Sequence, residues 1–293
     1  MKRLWNWILD KTIYYSFDKT GYLRHKKLNF KALNERDIGV TLITGGTSGI
    51  GEALADMVSK NSKTIVTGRN KQKFKSLPNK SFLNLDSADW ISFDKVIQDL
   101  PMIENLVFNA GGMPETYKEN PSCVELQCAS QLVGHLILFN KLHKASKLTP
   151  SAKILFTSSG GMLLKKLNLS TLFKNSRYDK VATYANVKRA QVIINEEISK
   201  LYPQYQWASM HPGWVATQAL KEAIPSFFSK MEKRLRSADE GADTLYFLLL
   251  ENSIPNGKFW FDRQIVSTHL SPFTKESVKD RKRLVKRVLS YLR

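Results

Sequence analysis

Tyr184 and Lys188 are the pair of residues in this sequence with the clearest capacity for chemistry. In an α-helix, residues four apart lie on one face, so both side chains would enter the same site. A phenol with its usual pKa of about 10 is a poor acid–base catalyst at neutral pH, but a neighbouring cation favours the phenolate and lowers that pKa. The pair therefore indicates a tyrosine that transfers protons, although two residues that are merely neighbours on a helix show the same spacing.

A glycine-rich stretch, TGGTSGIG at residues 44–51, follows a run of β-forming residues and precedes a helix-forming segment. Such a turn lets the backbone approach a pyrophosphate, while the helix N-terminus offers unpaired N–H groups and a positive dipole end. Glycines also occur in turns for steric reasons alone. The position at the head of a β-α-β unit favours dinucleotide binding.

The elements that must position these residues alternate along the chain. Hydrophobic patterns predict strands at 39–44, 63–67, 81–85, 104–108, 153–157, 205–210 and 258–261, and helices at 49–60, 87–99, 124–148, 181–201, 217–235 and 238–250. This alternation predicts an α/β fold with a doubly wound parallel sheet covered on both faces, of the Rossmann type. We expect one domain at 39–269, with an aromatic, amphipathic N-terminal extension at 1–38 and a basic C-terminal helix at 270–293.

The composition indicates a globular protein in a reducing compartment. The hydrophobic share of 42% in 293 residues is ample for a buried core. Cys123 and Cys128 are the two cysteines, and their spacing suits neither a disulfide nor a metal site, so we expect reduced thiols and a cytoplasmic protein. There is no run of about 18 apolar residues, and the N-terminal stretch makes a poor signal peptide.

The formal net charge of +19 favours anionic partners. The last residues, KDRKRLVKRVLSYLR at 279–293, have the spacing of a basic amphipathic helix, and the first seventeen combine basic and aromatic residues. Both ends are candidates for peripheral association with an anionic membrane. Packing onto the domain is the alternative, and a homo-oligomer is compatible with the sequence. No nucleic-acid-binding module is recognisable, so nucleic acid is not an expected partner.

Four groups of residues, in the same order along the chain, resemble the short-chain dehydrogenase/reductase family. They are the glycine motif ending in Gly49, Ile50 and Gly51; the Asn109, Ala110 and Gly111 triplet; the Tyr-x-x-x-Lys of YANVK; and the HPGWVAT loop at 211–217. Together they cover residues 39–262. The stretches FTSSGGMLLKKLN, SMHPGW and KFWFDRQIVSTHL further resemble the member 12 subgroup of that family.

The resemblance implies a set of catalytic residues. Tyr184 would be the general acid/base, Lys188 would hold the nicotinamide ribose, and Ser159 would hydrogen-bond the substrate oxygen, with Ser158 as the alternative serine. Gln131 falls where the family has an asparagine that bends its helix and holds a water in the proton relay. This departure leaves the relay in question.

The resemblance also implies cofactor-binding residues: Gly45, Thr47, Ser48, Gly49, Ile50, Gly51, Arg69, Asn70, Asn84, Leu85, Asn109, Ala110, Gly111, Tyr184, Lys188, Pro212, Gly213, Val215 and Thr217. At the end of the second strand an NAD enzyme usually has an acid, whereas a nearby arginine accommodates a 2′-phosphate. This chain has Gly68 and Arg69 there, which favours NADP over NAD. Two residues depart from the family pattern: Asn84 replaces an aspartate, and Phe108 replaces the first asparagine of NNAG.

The expected function is NADP(H)-dependent interconversion of an alcohol and a carbonyl. The segment 217–237 is expected to cover the substrate, and its Leu220, Ile224, Phe227 and Phe228 indicate an apolar compound, unless they simply belong to the core. Because Gln131 departs from the family pattern, an alternative is a catalytically silent NADP(H)-binding sensor or scaffold.

Overall fold

The computed structural model describes residues 9, 10 and 12–292. The apolar and basic residues at positions 1–8, which carry much of the expected N-terminal membrane contact, lie outside this part of the chain. Within the described residues, no helix combines the length and the apolar character needed to cross a bilayer. Both cysteines are free thiols.

A single sheet of eight strands organises the protein. The strands are β1 (Thr41–Ile43), β2 (Thr64–Gly68), β3 (Lys80–Asn84), β4 (Ile103–Phe108), β5 (Leu148–Thr157), β6 (Gln206–Met210), β7 (Lys258–Phe261) and β8 (Gln264–Ile265). Their order is β3-β2-β1-β4-β5-β6-β7-β8, and only the β7–β8 pair is antiparallel. The predicted doubly wound parallel sheet is confirmed, while the short strand β8 was not anticipated.

Helices cover both faces of the sheet. They are α1 (Ile13–Phe17), α2 (Lys19–Asn29), α3 (Gly49–Val58), α4 (Phe93–Ile97), α5 (Leu126–Cys128), α6 (Gly134–Lys144), α7 (Lys180–Leu201), α8 (Gln218–Ala223), α9 (Pro225–Met231), α10 (Ala238–Leu250) and α11 (Val278–Leu289).

Three predicted helices differ from the observed ones. The helix expected at 124–148 is interrupted by a π-helical turn, Ala129–Val133, which joins α5 to α6. The helix expected at 217–235 breaks at Pro225, which begins α9, because proline lacks the N–H that a continuous helix needs. The helix expected at 87–99 shrinks to one 3₁₀ turn followed by α4.

Each central strand contributes to two cores because consecutive side chains point to opposite faces. Leu42 and Leu106 face the layer that contains α6, α7 and α11. Ile43 and Val107 face the layer that contains α3 and α10. These strands are buried on both sides, as expected for a parallel sheet between two helical layers.

Both terminal segments pack onto this framework. The α1–α2 pair buries Phe17, Tyr22 and His25, and α11 buries Leu284 and Val288. The N-terminal pair lies against the loop after β6, because the Trp214 amide donates to the Phe17 carbonyl at 2.8 Å. The loops at the carboxyl ends of the strands therefore have a helical neighbour that the strand–helix alternation did not predict.

Candidate active site

The glycine-rich turn between β1 and α3 is shaped by the protein's own backbone. Gly45 and Gly49 have φ values of +65° and +57°, in the left-handed region that favours glycine. A Cβ at Gly45 would lie 2.7 Å from the Ala110 Cα, and one at Gly51 would lie 2.3 Å from the Gly45 carbonyl oxygen. The turn could not close with side chains at these positions. Ser48 precedes α3 without a side-chain capping bond, so its hydroxyl is not committed to the helix end.

Two residues connect this turn to the end of β4. The Thr44 hydroxyl accepts hydrogen bonds from the backbone amides of Asn109 and Ala110, each at 3.0 Å. The Asn109 side-chain amide donates to the Gly45 carbonyl at 3.1 Å. The triplet ending in Gly111 is thereby held beside the glycine turn. Thr44 was not anticipated as a site residue, and a small polar residue directly after a buried strand was the only signal.

Within the glycine-rich turn, the side chains of Thr47 and Ile50 pack against neighbouring elements. A Cβ on Gly241 would lie 3.3 Å from a side-chain carbon of Ile50 and 2.6 Å from a methyl group of Val215, so both side chains pack against this glycine. The Thr47 methyl group lies 2.9 Å from the position of a Cβ on Gly68. Both residues of the turn therefore support neighbouring elements, and their backbone remains available to a ligand.

The edge formed by the ends of β2 and β3 has a basic residue and no acid at the predicted position. Arg69 is exposed directly after β2, and Asn84 is exposed at the end of β3. Asn70 accepts a hydrogen bond from the Gln72 amide at 2.8 Å, so its side chain caps a short 3₁₀ turn. Leu85 is buried, and its amide donates to the Gly68 carbonyl at 3.1 Å.

Tyr184, Lys188 and Ser159 come together at the carboxyl end of β5. The Lys188 Nζ lies 5.2 Å from the centroid of the Tyr184 ring and donates to the Thr157 carbonyl at 2.9 Å. The Ser159 side chain is within hydrogen-bonding reach of the Tyr184 phenol. Ser158 is buried, and its hydroxyl donates to the Lys188 carbonyl at 3.1 Å. Of the two serines, Ser159 is therefore the one that faces the phenol.

Burial dominates the protonation of this pair. It raises the pKa of Tyr184 to about 12, against a smaller lowering by the Ser159 hydrogen bond. Burial also lowers the pKa of Lys188 to about 7. The direction for Tyr184 is opposite to the lowering expected from an adjacent cation. The reason is that the apolar surroundings disfavour the phenolate and the ammonium alike.

Gln131 lies in the π-helical turn and is fully buried. Its Nε2 donates to the Gly112 carbonyl at 2.7 Å, while its buried Oε1 has no hydrogen-bond partner among the described residues. That Oε1 is 2.8 Å from the position of a Cβ on Gly111. The Gln131 backbone carbonyl accepts from the Gln191 side-chain amide. The side chain of Gln131 is thus directed at the loop after β4.

His135 is the second buried polar residue at the site, after Thr44, that the sequence did not predict. Its Nε2 is 3.3 Å from the Thr44 hydroxyl, and its ring stacks on Phe108 with centroids 4.6 Å apart. Burial, with a smaller effect from the charge of Lys188, lowers the pKa of His135 to about 3. The imidazole is therefore neutral at physiological pH. The stacking contact also gives the phenylalanine at position 108 a structural role.

The loop after β6 approaches the glycine turn. Gly213 has a φ of +76°, and a Cβ there would lie 2.4 Å from the Arg236 Nε. The Pro212 carbonyl accepts from Arg236 Nη1 at 3.3 Å. Thr217 caps α8 through its hydroxyl, and its methyl group lies 3.1 Å from the position of a Cβ on Gly49.

An aromatic wall, which we define as Tyr14, Phe17, Trp214 and Phe227, joins α1 to the loop after β6 and to α9. The Trp214 ring centroid lies 6.2 Å, 6.0 Å and 5.2 Å from those of the other three residues, in that order. Phe17 also packs against Gly160, where a Cβ would lie 2.4 Å from its ring. The α1 helix therefore forms part of the site, a contribution that local sequence patterns do not show.

With this geometry established, comparisons with known proteins assign the class. The NAD dependent epimerase/dehydratase family matches residues 41–245. Dehydrogenase/reductase SDR family member 12 from Homo sapiens is 32% identical over 256 residues, which cover 81% of each chain. Polyprenol dehydrogenase from Homo sapiens is 26% identical over 234 residues, covering 70% of each chain.

Solved structures agree on the fold. A short chain dehydrogenase from Burkholderia cenocepacia, solved in complex with NADP, superimposes with a TM-score of 0.61 at 18% identity, covering 77% of this chain and 96% of that one. Together, the sheet, the site and the relatives define an oxidoreductase of the nicotinamide-binding type. The chain belongs to the short-chain dehydrogenase/reductase family, and the resemblance found in the sequence is confirmed.

Proposed function

We propose that this chain is an NADP(H)-dependent oxidoreductase that interconverts an alcohol and a carbonyl, with Tyr184 as general acid/base. The observation that carries the proposal is the cluster in which the Tyr184 phenol has Ser159 within hydrogen-bonding reach and the Lys188 Nζ 5.2 Å from its ring. A structural helix has no need of three polar groups converging at the end of a buried strand.

The residues present fit a nicotinamide dinucleotide. The glycine turn would receive the pyrophosphate at the N-terminus of α3, where amide groups lack intrahelical partners. Lys188 would hold the nicotinamide ribose, and the exposed Arg69 would receive a 2′-phosphate, which supports NADP over NAD. When bound, the cofactor supplies or accepts the hydride.

The chain's own part of the chemistry is proton transfer and positioning. The Ser159 hydroxyl would orient the substrate oxygen, and the Tyr184 Oη would give a proton to that oxygen during reduction or take it during oxidation. Because burial raises the Tyr184 pKa to about 12, the phenol is protonated at neutral pH and ready to donate.

The substrate class is proposed as apolar. The aromatic wall is linked to the catalytic group by Phe17, which packs against Gly160, the residue after Ser159, and aromatic surfaces bind apolar molecules through buried area. The polyprenol named for one relative is an apolar alcohol, which supports the same class.

Replacing the catalytic phenol tests the proposal. In Tyr184→Phe we expect NADPH affinity to stay within about two-fold of the wild-type value, while carbonyl reduction falls by about 10²–10⁴-fold, the usual contribution of general acid–base catalysis. Tyr205→Phe is the matched control because the Tyr205 hydroxyl contacts His143 and lies outside the cluster. Reduction is followed by the absorbance of NADPH with a panel of apolar ketones and aldehydes. Equal loss in both variants would contradict the assigned role.

A second candidate, a catalytically silent NADP(H)-binding sensor, is favoured by one observation. The Gln131 backbone carbonyl accepts from the Gln191 amide and the Gln131 Nε2 donates to Gly112, so Oε1, which has no partner in the described part of the chain, is the only group of Gln131 that could hold a relay water without rearrangement. The sensor would bind NADPH tightly and reduce nothing across the same panel. Turnover that depends on Tyr184 would exclude it.

A further inference from the structure

The C-terminal helix α11 is fixed to the domain by one of its faces. Leu284 and Val288 are fully buried in the core beside α7. Arg281 points the same way and forms ion pairs with three acids, at 2.6 Å, 2.6 Å and 2.7 Å, from Glu196, Glu197 and Glu276. Arg287 lies over the rings of Phe173 and Tyr291. The anchoring interactions thus engage the apolar residues and two of the arginines.

The opposite face of α11 carries four exposed cations: Lys279, Lys282, Arg283 and Lys286. Residues three, four and seven apart share a helix face, so these side chains form one continuous surface, which we call the basic face. Asp280 lies beside this face, with its Oδ1 3.7 Å from the Arg283 Nη1. In the part of the chain that the structure describes, none of the three lysines has an ion-pair partner.

Three exposed apolar side chains lie at the start of α11 or in the segment that precedes it in the chain. Phe273 is 89% exposed, Val278 is 69% exposed and Leu270 is 47% exposed. Val278 and the four cations line one shallow depression, which shows that the apolar and basic groups adjoin.

We propose that the basic face and the adjoining Val278, together with the exposed Phe273 and Leu270 of the preceding segment, form a docking surface for an anionic lipid bilayer. Lysines flanked by exposed aromatic and aliphatic residues suit the interface, where head groups neutralise the cations and the acyl boundary receives the apolar side chains. A nucleic-acid backbone would satisfy only the cations and leave Val278 and Leu270 in water. The net charge of +19 adds long-range attraction to an anionic surface.

The cations and the apolar residues of this surface would act together. Each lysine or arginine near an anionic bilayer strengthens binding roughly five-fold, and the apolar residues add a component that salt does not screen. Docking would leave the anchoring face of α11 in place, because Leu284 and Val288 lie on the other side of the helix. The surface is independent of the catalytic cluster, so its failure would not affect the proposed function.

The test is co-sedimentation of the full-length protein with vesicles of 30% phosphatidylserine in phosphatidylcholine, against vesicles of phosphatidylcholine alone. We expect binding to the anionic vesicles at low salt. The double variant Lys282→Gln/Lys286→Gln should bind roughly 25-fold more weakly, or five-fold for each charge removed. Lys60→Gln/Lys63→Gln is the matched control: it removes the same charge from two exposed lysines next to β2 and should change binding less than five-fold.

The apolar residues are tested by Phe273→Ser/Val278→Ser at 1 M salt, where the Debye length is about 3 Å and charges are screened. Residual binding of the wild type should disappear in this variant, and thermal unfolding should show that every variant remains folded. Equal binding of both lysine variants, or no preference for anionic vesicles, would overturn the proposal. Binding to a DNA or RNA duplex without binding to vesicles would also overturn it.

Discussion

Arg236 links three segments that are far apart in the sequence. It is fully buried, and its Nη1 and Nη2 donate to the two carboxylate oxygens of Asp262 at 2.6 Å and 2.9 Å. The same guanidinium donates to the carbonyls of Ser16 at 2.9 Å and Pro212 at 3.3 Å. One side chain therefore joins the α1–α2 pair, the loop after β6 and the turn after β7.

The substitution Arg236→Met keeps an apolar stem of similar shape and removes the charge. Removing one partner of a buried ion pair costs about 3–5 kcal/mol, because the other charge is left buried without compensation. Asp262 would keep His25 as a partner at 2.6 Å, which reduces this cost. The carbonyls of Ser16 and Pro212 would lose a charged donor, which increases it. The two corrections oppose each other, so we expect a loss of about 3–5 kcal/mol in the free energy of unfolding.

The assay is urea unfolding followed by circular dichroism, with Arg283→Met as the control. Arg283 is an exposed arginine whose ion pair with Asp280 measures 3.7 Å, and surface pairs of this kind contribute about 0–1 kcal/mol. The double variant Arg236→Met/Asp262→Asn should be more stable than the sum of the single changes predicts, by at least about 1 kcal/mol, because it removes the isolated carboxylate.

A loss below about 1 kcal/mol in Arg236→Met would refute this reasoning, since the buried pair would then be dispensable. Additivity of the two substitutions would refute it as well. It would mean that the arginine and the aspartate do not act on each other in the folded state.

Three further outcomes are expected. Arg69→Ala should weaken NADPH by about 1–3 kcal/mol in calorimetry and leave NADH unchanged, whereas equal losses would argue against a 2′-phosphate contact. Gln131→Asn should maintain or raise turnover if the amide takes part in the proton relay, and a fall with unchanged NADPH affinity would speak against it. Hydrogen bonds and charge from Asp262 and Asp10 raise the pKa of His25 against the effect of burial, so their stabilisation should be complete below about pH 6.5 and lost as pH rises through the folded-state pKa. Unfolding midpoints of wild type and His25→Gln between pH 6 and 9 should therefore converge at high pH.

The features that the sequence predicted are those encoded within a few residues of one another. Alternating apolar runs specify strands and helices, and the glycine turn is specified by backbone conformations at Gly45 and Gly49 that other residues rarely adopt. The break before Pro225 is equally local, and it was missed only because the flanking pattern is continuously helical.

The features that were missed depend on contacts between distant parts of the chain. His25 and Asp262 are 237 residues apart, and no local pattern pairs them. The π-helical turn includes another such contact: the Gln131 carbonyl accepts from Gln191 on a different helix, 60 positions away. The position of Phe17 also depends on a contact between distant residues, because its carbonyl accepts a hydrogen bond from the Trp214 amide on the loop after β6.

In the catalytic pair, the spacing of the side chains is encoded locally, whereas their pKa values depend on the fold. The spacing of Tyr184 and Lys188 follows from helix geometry and was readable from the sequence. Their pKa values follow from the surroundings of the pair at the carboxyl end of β5, which no local spacing encodes. A lysine whose pKa is lowered to about 7 carries only part of its charge at neutral pH, and its ability to stabilise a phenolate is reduced accordingly. Beyond the lowering by the Ser159 hydrogen bond, a further decrease of the Tyr184 pKa would require interactions that restore the full charge of Lys188.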